Sequence, residues 1–179
     1  DISTVVLDKT GTITKGRPEV TNIIIINSEK HSYSEDQILA LAAGVEKMSE
    51  HPLGEAIVEF ARTRSAELSE IEKFEAVPGK GIRANIDGKE LLVGNNRLMN
   101  DHDVVWDETD NHLASLRKEG KTVIIVAIDK IIVGLIAVAD TVKSNAKEVV
   151  RELHDLGLNV IMITGDNREV ANAIGSQVG

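Results

Sequence analysis

The sequence predicts an α/β fold carried by two separated segments of chain and interrupted by an inserted α+β unit built on antiparallel strands. Three observations lead there. A β-branched apolar run at residues 3–7 ends on Asp8, and another at residues 160–163 ends on Thr164, each followed by a glycine-containing turn. That is the pattern of buried strands whose carboxyl ends face loops in an open sheet. Between them, Asp87-Gly88 and Asp129-Lys130 each separate two apolar runs, which marks antiparallel hairpins. The order α/β, then helices with hairpins, then α/β places the divisions at residues 1–19, 20–130 and 131–179.

Taken in order, residues 23–26 read as a strand. Ser34-Glu35-Asp36-Gln37 is a capping box that opens a helix with Ile38, Leu41, Ala42 and Val45 on one stripe. Pro52 suits the first turn of a second helix, with Ile57, Phe60 and Ala61 on its buried side. Ile82, Ala84 and Ile86 alternate up to Asp87-Gly88, and Leu91 and Val93 continue the hairpin. A helix over 107–119 closes at Gly120. Strands at 122–128 and 131–138 form the second hairpin. A helix over 144–156 ends at Gly157, and another starts near Arg168.

Composition narrows the function. The chain has 179 residues and no cysteine, which excludes disulfides and thiolate metal sites. The net charge of −9 argues against nucleic acid and anionic membrane surfaces as partners. No apolar run approaches the roughly 18 residues of a membrane span. The first residue is Asp1, and the sequence reads as a piece cut from a longer chain. Aromatics are 2% of the residues, so a purine held between rings is not expected.

The residues with chemical potential sit at the strand ends. Asp8 in Asp8-Lys9-Thr10-Gly11-Thr12 is placed for a carboxylate that attacks phosphorus and becomes an acyl phosphate. The turn's successive N–H groups and Lys9 can hold phosphate oxygens. Thr164-Gly165-Asp166-Asn167 offers a second hydroxyl and further turn N–H groups. In the insert, His51 lies in Ser49-Glu50-His51-Pro52-Leu53. Gly79 and Gly81 flank Lys80, and Gly94 precedes Asn95. Glycines let a ligand approach the backbone closely, and Asn95 carries a donor and an acceptor.

The pentapeptide, followed by Thr14 and Gly16, resembles the phosphorylation signature of P-type ATPases in the haloacid-dehalogenase-like superfamily. The resemblance implies a Rossmann-like phosphorylation domain, truncated here, around an inserted nucleotide-binding domain. It implies that Asp8 accepts the γ-phosphate of ATP, with Lys9 and Thr10 beside it. Thr164, Gly165 and Asp166 resemble the second phosphorylation motif, and Asp140 the family's hinge Asp. Related phosphatases carry a second Asp two residues beyond the nucleophile. Thr10 stands there instead, which fits a phosphoenzyme that survives long enough for a pump to change conformation.

Ser-Glu-His-Pro-Leu resembles the mark of the heavy-metal class, in which Glu50 and His51 would position adenine. Gly79, Gly81, Gly94 and Asn95 resemble the rest of that nucleotide pocket. The implied cofactors are ATP and Mg2+, the latter on Asp8 and the Thr10 carbonyl in a partial site. The family's later Lys and Gly-Asp-Gly-x-Asn-Asp segment is absent, so the chain is expected to bind nucleotide and to phosphorylate poorly alone, leaving sheet edges uncovered. The implied partners are the transmembrane and actuator domains of a parent pump at the cytosolic face of a membrane, with the transported ion held elsewhere. The pattern is closer to copper pumps than to zinc or cadmium pumps. A capped haloacid-dehalogenase-like phosphatase is the alternative.

Overall fold

The computed structural model describes residues 2–26, 32–106, 109–166 and 168–179. Among these, two sheets form. A two-stranded parallel sheet pairs β1 (Thr4–Asp8) with β8 (Asn159–Ile163). A six-stranded antiparallel sheet joins β2 (Thr14–Ile25), β3 (Lys73–Val77), β4 (Gly81–Ile86), β5 (Lys89–Gly94), β6 (Thr122–Ile128) and β7 (Ile131–Val142) in the order β2-β7-β6-β5-β4-β3.

The large sheet is covered on both faces. On one, α1 (Glu35–Glu46) and α2 (Pro52–Thr63) pack Ile38, Val45 and Ile57 against Ile82, Val93, Val126 and Ile136. On the other, α3 (Asn96–Asp101) and α4 (Thr109–Lys118) pack Leu98, Leu113 and Leu116 against Leu92, Ile125 and Leu135. Strands buried on both sides read as continuous apolar runs rather than alternating ones, and β6 and β7 do. Both hairpin turns are as expected: Asp87 and Gly88 have φ of 48° and 73°, and Asp129 and Lys130 have 46° and 67°, the positive values a tight twisted turn requires. The capping box is also present, with Ser34 Oγ accepting from Gln37 N and Gln37 Oε1 accepting from Ser34 N.

A third apolar cluster is separate. Ile13, Ala146, Val150, Ile174 and Val178, with Leu7, Val142, Val160 and Met162 against them, join the parallel pair to α5 (Ala146–Asp155) and α6 (Arg168–Val178). Here the expectation of buried strands needs correction. Only the face toward α5 and α6 is covered, so Val6, Ile161 and Ile163 are each at least half exposed. Strand β2 starts nine residues before the predicted 23–26, because Thr14–Ile25 is drawn into pairing with β7 from Val142 to Gly134. Strand β3 and the short α3 had no counterpart in the sequence reading. Asp107 and Glu108, at the predicted start of the fourth helix, and Asn167 lie outside the described residues. Among the described residues no helix is long and apolar enough to cross a membrane.

Candidate functional site

The parallel register places Asp8 opposite Ile163, so the two loops predicted to act together leave neighbouring strand ends. Asp8 is exposed at the end of β1, whereas Lys9 turns inward and is buried. The Lys9 ammonium lies 2.5 Å from Asp166 Oδ2. Thr164 Oγ1 donates to the same carboxylate at 2.6 Å and accepts from Asp166 N at 3.1 Å. The Lys9 ammonium, then the Thr164 hydroxyl, hold the Asp166 carboxyl below its usual range. The structure thus brings Asp8, Lys9, Thr164 and Asp166 together. Thr10 and Gly165 sit exposed in their turns.

A second set of bonds ties the Lys9–Ile13 turn to the far end of β7. Thr14 is fully buried; its Oγ1 donates to Asp140 Oδ2 at 2.5 Å and also lies 3.0 Å from the Lys9 carbonyl. Asp140 Oδ1 accepts from Gly16 N at 2.9 Å. Lys143 Nζ donates to the Gly11 carbonyl at 2.6 Å, and Lys143 N to the Ile13 carbonyl at 2.9 Å. Asp140 is therefore the junction between β7 and the start of β2, next to the Asp8 turn. Lys143 escaped the sequence reading; its place three residues after Asp140 was the available signal.

In the insert, His51 caps α2: its Nδ1 accepts from Leu53 N at 3.2 Å, and its own N donates to Ser49 Oγ at 3.2 Å. With Nδ1 an acceptor, the neutral ring carries its proton on Nε2. Glu50 is exposed beside it. Beneath the same turn lies a carboxylate the sequence reading passed over. Glu46, at the end of α1, is buried, and a Cβ on Gly54 would stand 2.3 Å from its Oε2. Burial raises the Glu46 pKa, partly countered by a hydrogen bond with Ser49.

The four remaining residues expected at a nucleotide pocket lie in one cluster. Gly81 and Gly94 face each other in the β4–β5 register, and Asn95 Nδ2 donates to the Gly79 carbonyl at 2.9 Å. Among the described residues no hydrogen bond links this cluster to His51. A cleft of about 430 Å³ runs between the two units, lined by Lys9, Asp140 and Asp166 on one side and by Leu53, Gly120 and Lys121 on the other. From the strand-end site it reaches Leu53, two residues beyond His51.

Residues 2–179 match the family of haloacid dehalogenase-like hydrolases. The chain is 46% identical over 178 residues to a copper-exporting P-type ATPase of Staphylococcus saprophyticus, and 47% identical over 179 residues to one of Staphylococcus aureus. It covers 99% of its own length in each case and spans 21% of those relatives. Among solved structures it resembles a zinc-transporting PIB-type ATPase in the E2.Pi state, with TM-score 0.88 and 33% identity over 99% of this chain and 28% of that one. It also resembles the catalytic domain of the CPx-ATPase CopB-B, with TM-score 0.67 and 26% identity over 99% of this chain and 60% of that one. The family match spans both strand-end motifs and everything between them, and the chain therefore belongs to the haloacid dehalogenase-like hydrolases, in a part of that family similar to the catalytic region of heavy-metal P-type ATPases.

Proposed function

We propose that this chain is the ATP-binding and aspartyl-phosphorylation region of a heavy-metal cation-transporting P-type ATPase, with copper as the transported ion. The observation that carries the proposal is the convergence of Asp8, Lys9, Thr164 and Asp166 at two adjacent parallel strand ends. In this reading an Asp8 carboxylate oxygen attacks the γ-phosphorus of ATP. The bond to the bridging oxygen breaks and ADP leaves, and water later hydrolyses the acyl phosphate. Lys9 and the Thr164 hydroxyl neutralise and orient the transferred phosphoryl oxygens, because such transfer depends mainly on positioning and electrostatics. Asp166 keeps the Lys9 ammonium aimed until those oxygens arrive. Thr10 has no carboxylate to activate water, which favours a pump over a capped phosphatase.

Magnesium would be held by the Asp8 carboxylate and the Thr10 carbonyl. Both are hard oxygen donors on exposed residues. Among the described residues no group of three or more His, Asp or Glu side chains forms a candidate metal site, so these two oxygens would be a partial site to which nucleotide phosphate oxygens and water would add. Bound there, the ion supplies charge neutralisation for the phosphoryl group.

Adenine binding is assigned to the His51 turn and the Gly79–Asn95 cluster. The insert of residues 20–130 would carry the nucleotide, and residues 1–19 and 131–179 the phosphorylated Asp. These divisions fall within β2 and directly before β7, the two strands that join the units. The transmembrane and actuator domains of the parent pump would be the partners, at the cytosolic side of a membrane. Copper rests on the names of the relatives at 46–47% identity. The test is labelling of the complete pump with γ-labelled ATP. Hydroxylamine-labile label on the wild type and none on Asp8→Asn is expected; label that survives the substitution overturns the assignment.

A further inference from the structure

We propose that Asn95 is a positioning residue of the nucleotide pocket, which holds the Gly79 peptide in place and does not itself touch the nucleotide. The proposal rests on the nucleotide-binding reading above. A carboxamide has one oxygen with two lone pairs and two N–H donors. The Asn95 oxygen accepts from both Arg97 N at 3.0 Å and Leu98 N at 3.3 Å, which caps α3. Its nitrogen donates to the Gly79 carbonyl at 2.9 Å. Both lone pairs and one donor are committed inside the protein.

The surrounding bonds serve the same turn. Asn95 N donates to the Lys80 carbonyl at 2.8 Å, and Lys80 N closes the turn onto the Val77 carbonyl at 3.0 Å. The Lys80 ammonium pairs with Asp101 at the last residue of α3. The Gly79–Lys80 segment is therefore held at three points, at the Gly79 and Lys80 carbonyls by Asn95, the N-cap of α3, and at the Lys80 side chain by Asp101.

The glycines divide along the same line. A Cβ on Gly94 would lie 2.3 Å from the Lys80 carbonyl oxygen, and one on Gly81 would lie 2.3 Å from the Val93 carbonyl oxygen. Those two are glycines because backbone meets backbone. A Cβ on Gly79 would meet nothing within 4 Å. Gly79 is exposed and presents the open side of the turn. The ligand-facing group is the Gly79 peptide, and Asn95 stands behind it.

The test is nitrogen-edited NMR of the 179-residue chain during an ATP titration. The Gly79 amide is expected to shift with ATP while the Asn95 side-chain NH2 pair stays in place. Asn95→Asp keeps the oxygen that caps α3 and removes the donor to Gly79. It is expected to shift the Gly79 amide before any nucleotide is added. It should also weaken ATP binding about fivefold, the equivalent of one net hydrogen bond. An Asn95 NH2 pair that moves in step with Gly79 as ATP is added overturns the proposal and leaves the pocket standing, as does full affinity in Asn95→Asp. No ATP-dependent shift at either Gly79 or His51 in the wild type overturns the pocket itself.

Discussion

Alanine at Gly79 and alanine at Gly81 are expected to separate ligand binding from folding. Both positions have positive φ, +70° at Gly79 and +140° at Gly81, so a Cβ carries a conformational cost of about 1–2 kcal/mol at either one. Only at Gly81 does it also collide, at 2.3 Å from the Val93 carbonyl oxygen and 2.5 Å from Gly94 Cα. Backbone atoms cannot step aside like a flexible side chain. The end of the β4–β5 ladder would have to open, and such overpacking adds about 1–3 kcal/mol. Gly81→Ala should therefore lose about 2–5 kcal/mol, and Gly79→Ala only the first part. For a chain of this size each kcal/mol is worth roughly 2–4 °C in melting temperature. Thermal melts without nucleotide and ATP titrations on the folded proteins read the two effects independently. Gly79→Ala should melt about 2–8 °C below the wild type, less far than Gly81→Ala, and bind ATP more weakly. Equal melting losses in the two variants, or unchanged ATP affinity in Gly79→Ala, would refute the division of roles.

Three further outcomes follow from the site geometry. Asp166→Asn should destabilise the chain by at most about 1 kcal/mol at neutral pH, since its carboxylate is partly exposed and screened. Because folding lowers the Asp166 pKa, that contribution is present above the usual carboxylate range and is lost as pH falls through the depressed value. Urea midpoints of wild type and variant should therefore converge in acid. Glu46 has the opposite sign: burial raises its pKa, so its contribution is intact below the usual carboxylate range and is lost as pH rises through the raised value. Glu46→Gln should raise the urea midpoint at about pH 8 and lose that advantage near about pH 4; a variant less stable at the higher pH would contradict the buried-charge argument. Thr14→Val keeps shape and removes the buried hydroxyl from Asp140, at an expected cost of about 1–3 kcal/mol. Faster amide exchange in the Lys9–Ile13 turn should accompany it.

The fold was readable where local chemistry speaks for itself. Ser34 and Gln37 form a capping box in any context that permits a helix, and Asp87-Gly88 makes a tight turn because those residues tolerate positive φ. Strand β3 was not readable: Lys73-Phe74-Glu75-Ala76-Val77 carries two charges and becomes a strand by pairing with β4 at the sheet edge. The partial burial of β1 and β8 was misjudged for a related reason. An apolar run shows that a strand can be covered on both sides, and only the positions of α5 and α6 show that one face is.

The candidate site divides in the same way. Asp8, Lys9, Thr164, Asp166, His51 and the glycines were legible because motifs concentrate their chemistry into a few adjacent residues. The work of Asn95 was not, since its partners at Gly79, Arg97 and Leu98 are set by hairpin register and a helix start. Glu46 and Lys143 belong to the same class: isolated charges in the sequence, they acquire a role from the turn each packs beneath or bonds to. The sequence by itself determined which functional groups are present and which short segments present them. The tertiary structure alone decided which of those groups are free to meet a ligand and which are already engaged with the protein, because hydrogen bonds and burial depend on partners that lie far apart along the chain.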